Sequence, residues 1–324
     1  MTDLSIALVK VGAMQPFAVE TINLSRTFGA IHAVAGLNLQ VPAGRIYGLV
    51  GPDGAGKTTT LRMLCGALRL GGGQATVLGI DVARDPEAVR RRLGYMPQRF
   101  SLYGDLTVRE NLRFFADAYG VPRAQQPALF ERLLGFSQLG PFQGRRADAL
   151  SGGMKQKLAL ACTLIHKPAV LLLDEPTTGV DPVSRREFWD ILRDAVSQDG
   201  MTVLVSTPYM DEADRCHVVG FMRGGALMAS GSPRELQRLV PGLVLEVQAR
   251  PLHAAQERLR AMPGVREVQV FGDRLHLFAD AALPAGALEH QLEGSGVVLA
   301  AVRPIQPTME DVFMFLQGRK APAA

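Results

Sequence analysis

Gly51-Pro52-Asp53-Gly54-Ala55-Gly56-Lys57-Thr58 is the stretch on which the fold turns. It fills every position of the pattern G-x-x-x-x-G-K-[ST]. Its glycines let the backbone fold back on itself, so that successive N–H groups point inward at the α and β phosphates of a nucleotide. Lys57 would supply a point charge between the β and γ phosphates and Thr58 a hydroxyl for Mg²⁺, with Thr59 continuing the same turn. The apolar run over 46–50 predicts a buried strand before the loop. Leu61, Leu64, Cys65 and Leu68, spaced by three and four, predict a helix over 57–68 after it. The positive end of that helix adds to the same anion site. Strand, glycine loop and helix in this order separate a phosphate loop from a chance glycine-rich turn.

Further along, Val170-Leu171-Leu172-Leu173-Asp174-Glu175 reads as a buried strand ending in two carboxylates, at the strand end where α/β sheets bind ligands. Asp174 would orient Mg²⁺ and Glu175 would polarise an attacking water. Short alternating runs over 17–22 and 37–41 give a β-rich opening. Residues 108–139 read helical with breaks at Gly120, Pro122 and Gly135, a small helical insert. Helices over 151–165 and 185–197 then alternate with buried strands over 170–173 and 202–206, which argues a parallel sheet. Composition shifts near Pro241. Strand 243–248, helix 253–262, strands 265–271 and 274–278 joined across Gly272-Asp273, helix 286–292 and strand 297–302 follow in the ferredoxin-like order β-α-β-β-α-β. A last amphipathic helix over 309–316 closes the pattern.

At 324 residues the chain has room for two domains of roughly 150 residues. With 47 % apolar and 20 % charged residues it falls among globular proteins, and disordered and collagen-like classes are excluded. The 35 Lys+Arg against 31 Asp+Glu leave +4, although the pI is about 9.1, so no dominant polyanion partner is implied. Arg90-Arg91-Arg92 reads as a solvated helix face, and no nucleic-acid partner is expected. A mean hydropathy of +0.10 raises the question of membrane spans. The apolar run over 158–165, stopped by Lys157 and His166, falls far short of the ~18 residues a span needs. Cys65, Cys162 and Cys216 match neither a zinc spacing nor a disulfide framework, which suits a reducing, cytoplasmic setting. Residues 1–16 carry no export signal and are read as a disordered leader, with Met14 an alternative start.

Leu150-Ser151-Gly152-Gly153-Met154-Lys155-Gln156 is a second glycine-rich helix start able to receive an anion. One phosphate loop needs one cradle, so a second implies another nucleotide. Here the chain resembles the ATP-binding cassette (ABC) ATPases, whose signature reads L-S-G-G-Q, with Met154 in the fifth place. The resemblance implies an α/β P-loop NTPase cassette over 17–238, with a mixed-sheet core, an antiparallel β subdomain and a helical subdomain over about 100–165. A ferredoxin-like α+β accessory domain would follow over 241–318. It implies that two cassettes sandwich two ATP molecules, each held by the phosphate loop of one and by Ser151, Gly152 and Gly153 of the other. Gln98, in Tyr95-Met96-Pro97-Gln98, is similar to the glutamine that joins Mg²⁺ and feels the membrane subunit. Asp181, in Gly179-Val180-Asp181-Pro182, is similar to the D-loop aspartate, and Phe28 to the aromatic that stacks on adenine. Pro307-Thr308-Met309-Glu310-Asp311-Val312-Phe313 resembles the close of the drug-resistance subgroup of ABC-2-type exporter ATPases. The wording of 101–108 is closest to the first half of tandem YbhF-type ATP-binding proteins. The implied function is an ATP-hydrolysing subunit at the cytoplasmic face of the inner membrane, driving export through a separate ABC-2-type permease.

One departure stands out. In Ser206-Thr207-Pro208-Tyr209-Met210-Asp211-Glu212, Pro208 occupies the place of the family's switch histidine. Proline offers neither a side-chain donor nor a backbone N–H. Loss of one donor to a developing anion costs on the order of 10² to 10³ in rate. The chain's own site is therefore expected to be slow, while Ser151, Gly152 and Gly153 can still complete a partner's site. A heterodimer with a histidine-bearing cassette is expected ahead of a homodimer. The alternative function is a non-catalytic subunit that dimerises on ATP. His217, the nearest histidine, is expected in a helix with a surface role.

Overall fold

Three strands with continuous apolar burial set the centre of the first unit. In chain order it contains β1 (Phe17–Phe28), β2 (Ile31–Pro42), β3 (Ile46–Val50), α1 (Lys57–Leu64), β4 (Gly72–Val77) and β5 (Ile80–Asp81). There follow α2 (Pro86–Arg92), β6 (Leu93–Met96), α3 (Val108–Ala118), α4 (Gln126–Phe136) and α5 (Gly152–Thr163). The unit closes with β7 (Val170–Asp174), α6 (Pro182–Asp199), β8 (Thr202–Thr207), α7 (Met210–Ala213), β9 (Val218–Arg223) and β10 (Ala226–Gly231). This computed structural model describes residues 17–99, 102–280, 283 and 286–318. The leader over 1–16, and residues 100 and 101 at the expected start of the helical insert, lie outside them. The chain divides into two compact units after Pro233. Residues 234–238, read from sequence as the end of the cassette, fall in the second.

The central six-stranded sheet has the order β10-β9-β3-β8-β7-β6 and is parallel except for the β9/β10 hairpin. β3, β7 and β8 are buried along their whole length, which is why they read as unbroken apolar runs rather than alternating ones. Since β3, β7 and β8 run in one direction, the segments that follow them leave from the same edge. A four-stranded antiparallel sheet, β2-β1-β4-β5, lies over this one. Leu24, Leu37 and Leu39 from it share a core with Leu49, Leu61, Leu172 and Leu204.

Several boundaries differ from the sequence reading. α1 stops at Leu64, not 68, because Gly66 turns the chain at φ +68°. Gly135 does not break α4, which runs on to Phe136; the interruption falls between Tyr119 and Gln125, where Gly120 has φ +68°. α6 starts at Pro182, since Asp181 caps it and Pro182 takes the first helical position. His217 stands outside any helix, four residues beyond the end of α7. β4 and β5 were hidden by their glycines and brevity.

Helix α8 (Pro233–Gln237) straddles the division. The second unit then runs β11 (Leu243–Arg250), α9 (Leu252–Arg260), β12 (Val265–Phe271), β13 (Arg274–Ala279), α10 (Ala287–Leu292), β14 (Val298–Ile305) and α11 (Met309–Gly318). Its sheet has the order β12-β13-β11-β14 with every pair antiparallel, the ferredoxin-like arrangement. Gly272, at φ +61°, makes the expected tight turn between β12 and β13. Val247, Leu259, Val268, Leu277 and Leu292 form its core. Asp311 of α11 is bonded to the buried His276 of β13 at 2.8 Å. Among the described residues, no helix is long and apolar enough to cross a membrane.

Candidate nucleotide site

The loop between β3 and α1 includes positions whose backbone or surroundings only glycine accommodates. Gly54 and Gly56 have φ +76° and +101°, a region L side chains rarely enter. A Cβ at Gly51 would meet the Met222 carbonyl oxygen at 2.2 Å, and one at Gly56 the Ala33 carbonyl oxygen at 2.1 Å. The loop is thus seated against the backbones of β2 and β9 at both ends. Lys57 opens α1 and is 3 % exposed. Its ammonium donates to the carbonyls of Gly51 (2.7 Å) and Pro52 (3.0 Å) and lies 3.2 Å from a Glu175 oxygen. A buried charge requires such partners.

One residue on, the Thr58 hydroxyl donates to Asp174 Oδ1 at 2.9 Å. Asp174, fully buried at the end of β7, also accepts the Ser206 hydroxyl (2.8 Å) and faces the Tyr95 hydroxyl (3.5 Å). Burial, and then the Asp174 charge, push the Tyr95 phenol up to about 12. Glu175 has φ +49°, strained for a residue with a side chain. Its N–H is held by both the carbonyl and the hydroxyl of Ser206, each at 3.1 Å. Its carboxylate is shared between Lys57 and the Gln98 amide, which donates at 3.0 Å.

Lys57, Thr58, Gln98, Asp174 and Glu175 are therefore brought together from three segments of chain. Pro208 follows Thr207, the last residue of β8, whose carbonyl accepts the Gly51 N–H at 3.3 Å. The proline thus stands beside the start of the loop. The remaining sequence-named residues have other surroundings. Ser151 caps α5 by accepting the Met154 N–H at 3.3 Å. A Cβ at Gly153 would strike the Ser184 hydroxyl oxygen at 2.3 Å, so the start of α5 rests on the start of α6. Asp181 accepts the N–H groups of Ser184 (2.9 Å) and Val183 (3.1 Å), and these bonds, Ser184's first, hold its carboxyl below the usual range. Phe28 is exposed at the end of β1 with the Arg26 guanidinium 4.9 Å from its ring centre.

Sequence reading gave no role to Ser206 or Tyr95. The only signal for Ser206 was a hydroxyl following the apolar run Val203-Leu204-Val205 in a buried strand. Glu212, taken up below, gave none.

Residues 34–178 match the family described as ABC transporter. The chain is 42 % identical over 306 residues to the probable multidrug ABC transporter ATP-binding protein YbhF of Escherichia coli (strain K12), which spans 93 % of this chain but 52 % of that protein. It thus covers about half the length of that relative. It is 35 % identical over 321 residues to the Nod factor export ATP-binding protein I of Rhizobium meliloti (strain 1021), spanning 98 % of this chain and 93 % of that one. The daunorubicin/doxorubicin resistance ATP-binding protein DrrA of Streptomyces peucetius is 42 % identical over 247 residues, 75 % of this chain and 73 % of its own. A solved ATP-binding subunit of an ABC transporter shares the fold with a TM-score of 0.62 and 29 % identity, over 68 % of this chain and 92 % of that one. Identity of 35 % across nearly the whole of an export ATP-binding protein, on a fold shared with a solved subunit, shows that this chain belongs to the ATP-binding proteins of the ABC transporter family.

Proposed function

We propose that the chain binds ATP with Mg²⁺ and hydrolyses it to drive export through a separate ABC-2-type permease, from the cytoplasmic face of the inner membrane. The observation that carries this reading is the 2.9 Å contact between the Thr58 hydroxyl and Asp174, which joins the phosphate loop to the strand-end carboxylate. The backbone of residues 51–56 would cradle the phosphates, and Lys57 would exchange its loop carbonyls for phosphate oxygens. Thr58, Asp174 and Gln98 offer oxygen donors that suit Mg²⁺. Phosphate oxygens and water would complete its shell. The bound ion would neutralise charge on the β and γ phosphates. Glu175 would accept a proton from the attacking water. Phe28 would stack on adenine. Ser151, Gly152, Gly153 and Asp181 would serve the nucleotide of a second cassette, with residues 17–238 as the cassette and 241–318 as the accessory domain. The relatives named for multidrug, Nod factor and daunorubicin resistance or export support the export reading.

Pro208 would make this chain's own site slow and favour pairing with a histidine-bearing cassette. The same residue favours a second reading, a subunit that dimerises on ATP while its partner performs the chemistry. Radiolabelled ATP binding and phosphate release by the purified chain and by Pro208→His test both. Binding with slow release, raised on the order of 10² to 10³ by Pro208→His, is expected. Release still absent in Pro208→His, with ATP bound, favours the second reading. Fast release unaltered by the substitution overturns the slowed site, and failure to bind ATP overturns the whole proposal.

A further inference from the structure

Glu212 is fully buried yet has no part in the cluster around Lys57. One of its oxygens accepts the Thr177 hydroxyl at 2.7 Å and the other the Thr207 hydroxyl at 2.6 Å. Arg185 Nε lies 3.6 Å from the first oxygen. Each partner belongs to a different segment bordering the site. Thr177 stands two residues after Glu175, in the turn that leaves β7, and its carbonyl accepts the Val180 N–H at 3.1 Å. Thr207 ends β8; its carbonyl holds the Gly51 N–H and its hydroxyl accepts the Tyr209 N–H at 3.0 Å. Arg185 lies in the first turns of α6, and its guanidinium sits 4.2 Å from the Tyr209 ring centre. Thr207 and Tyr209, the residues on either side of Pro208, are both held by this network.

A buried carboxylate is costly unless its partners are well placed, and here the partners join the two strand ends on which the proposed chemistry depends. Glu175 keeps a strained backbone, which persists only where its surroundings over-determine it. Pro208 contributes no donor of its own, so the bonds at Thr207 and Tyr209 help to fix the segment's place. We propose that Glu212 is a positioning residue of the ATP site, holding the Thr177 turn and the Thr207 to Tyr209 segment in register so that Glu175 meets the γ phosphate and its water correctly. This rests on the reading of the site as an ATPase.

The test uses the full chain, with ADP and ATP affinities and phosphate release at saturating radiolabelled ATP for wild type, Glu212→Gln, Thr177→Val and Thr177→Ser. ADP affinity is expected to stay within about twofold throughout, which shows an intact loop, while release falls about tenfold in Glu212→Gln and Thr177→Val with little change in KM, as for a misplaced reacting group. Thr177→Ser, which keeps the hydroxyl, restores release. Equal release in all four chains overturns the role of Glu212 alone, whereas a wild type that binds no ATP overturns the ATPase reading instead. Should the wild type bind ATP without measurable release, amide exchange at Tyr209 in the ATP-bound chain decides. Exchange about tenfold faster in Glu212→Gln supports the proposal, and equal exchange overturns it.

Discussion

The ammonium of Lys57 lies 3.2 Å from the carboxylate of Glu175, and both side chains are almost wholly buried. The proposed general base is therefore held by the cation that would meet the phosphates. Glu175→Gln keeps a polar side chain in this place and removes the negative charge. ATP should bind at least as tightly as in wild type, and phosphate release should fall by about 10² to 10⁴, the usual range for a positioned base. Calorimetric titration and a phosphate-release assay on the same preparation check the two halves separately.

Lys57→Ala removes the other member of the pair. Hydrogen bonds to a charged group contribute about 1.5–3 kcal/mol, so ATP affinity should drop by roughly tenfold to a hundredfold. The same change leaves Glu175 buried with Gln98 as its remaining partner, so the melting temperature should also fall. An affinity equal to wild type would exclude Lys57 from phosphate binding.

Ser206→Ala deletes a hydroxyl that donates to Asp174 and accepts from the Glu175 backbone. The site is buried, so the lost bonds should cost about 1–3 kcal/mol of stability. Denaturant unfolding at pH 7 measures this, and Ser206→Thr is the control that keeps the hydroxyl.

His217 gives a pH dependence of known sign. Its Nδ1 accepts the Ile46 N–H at 3.0 Å. Burial, and then the charge of Arg45, lower its pKa from the ordinary 6.5. Folding therefore favours the neutral ring, and this contribution is present above pH 6.5 and lost as the pH falls below it. His217→Asn keeps an acceptor and removes the titration. Melting curves should show wild type losing more stability than His217→Asn between pH 7 and about 5.5; parallel losses would refute the assignment.

The parts of the site legible in sequence are those built by consecutive residues. The glycine loop declares itself because its geometry is local, with φ values that glycines alone adopt at Gly54 and Gly56. The apolar run ending at Asp174 and the turn at Gly272-Asp273 are legible for the same reason. Helix ends were less so. Gly135 lies inside α4 because its neighbours Leu133 and Leu134 are buried and hold that turn in place. His217 lies outside a helix because the chain must leave α7 to enter β9.

The sequence by itself determined the glycine loop, the strand-end carboxylates, Pro208 after a buried strand, the longer buried strands and helices of the first unit and the order of elements in the second. Which distant residues meet was decided only by the tertiary structure. Thr58 and Asp174, 116 positions apart, meet because β8 lies between β3 and β7 and all three release their ends at one edge of the sheet. The same order sets Ser206 against Asp174 and lets Glu212 reach Thr177 and Thr207. Periodicity reports which face of a strand is buried. It carries no information on which strand lies beside it, so side chains whose work is to join neighbouring strand ends emerge only once the sheet is assembled.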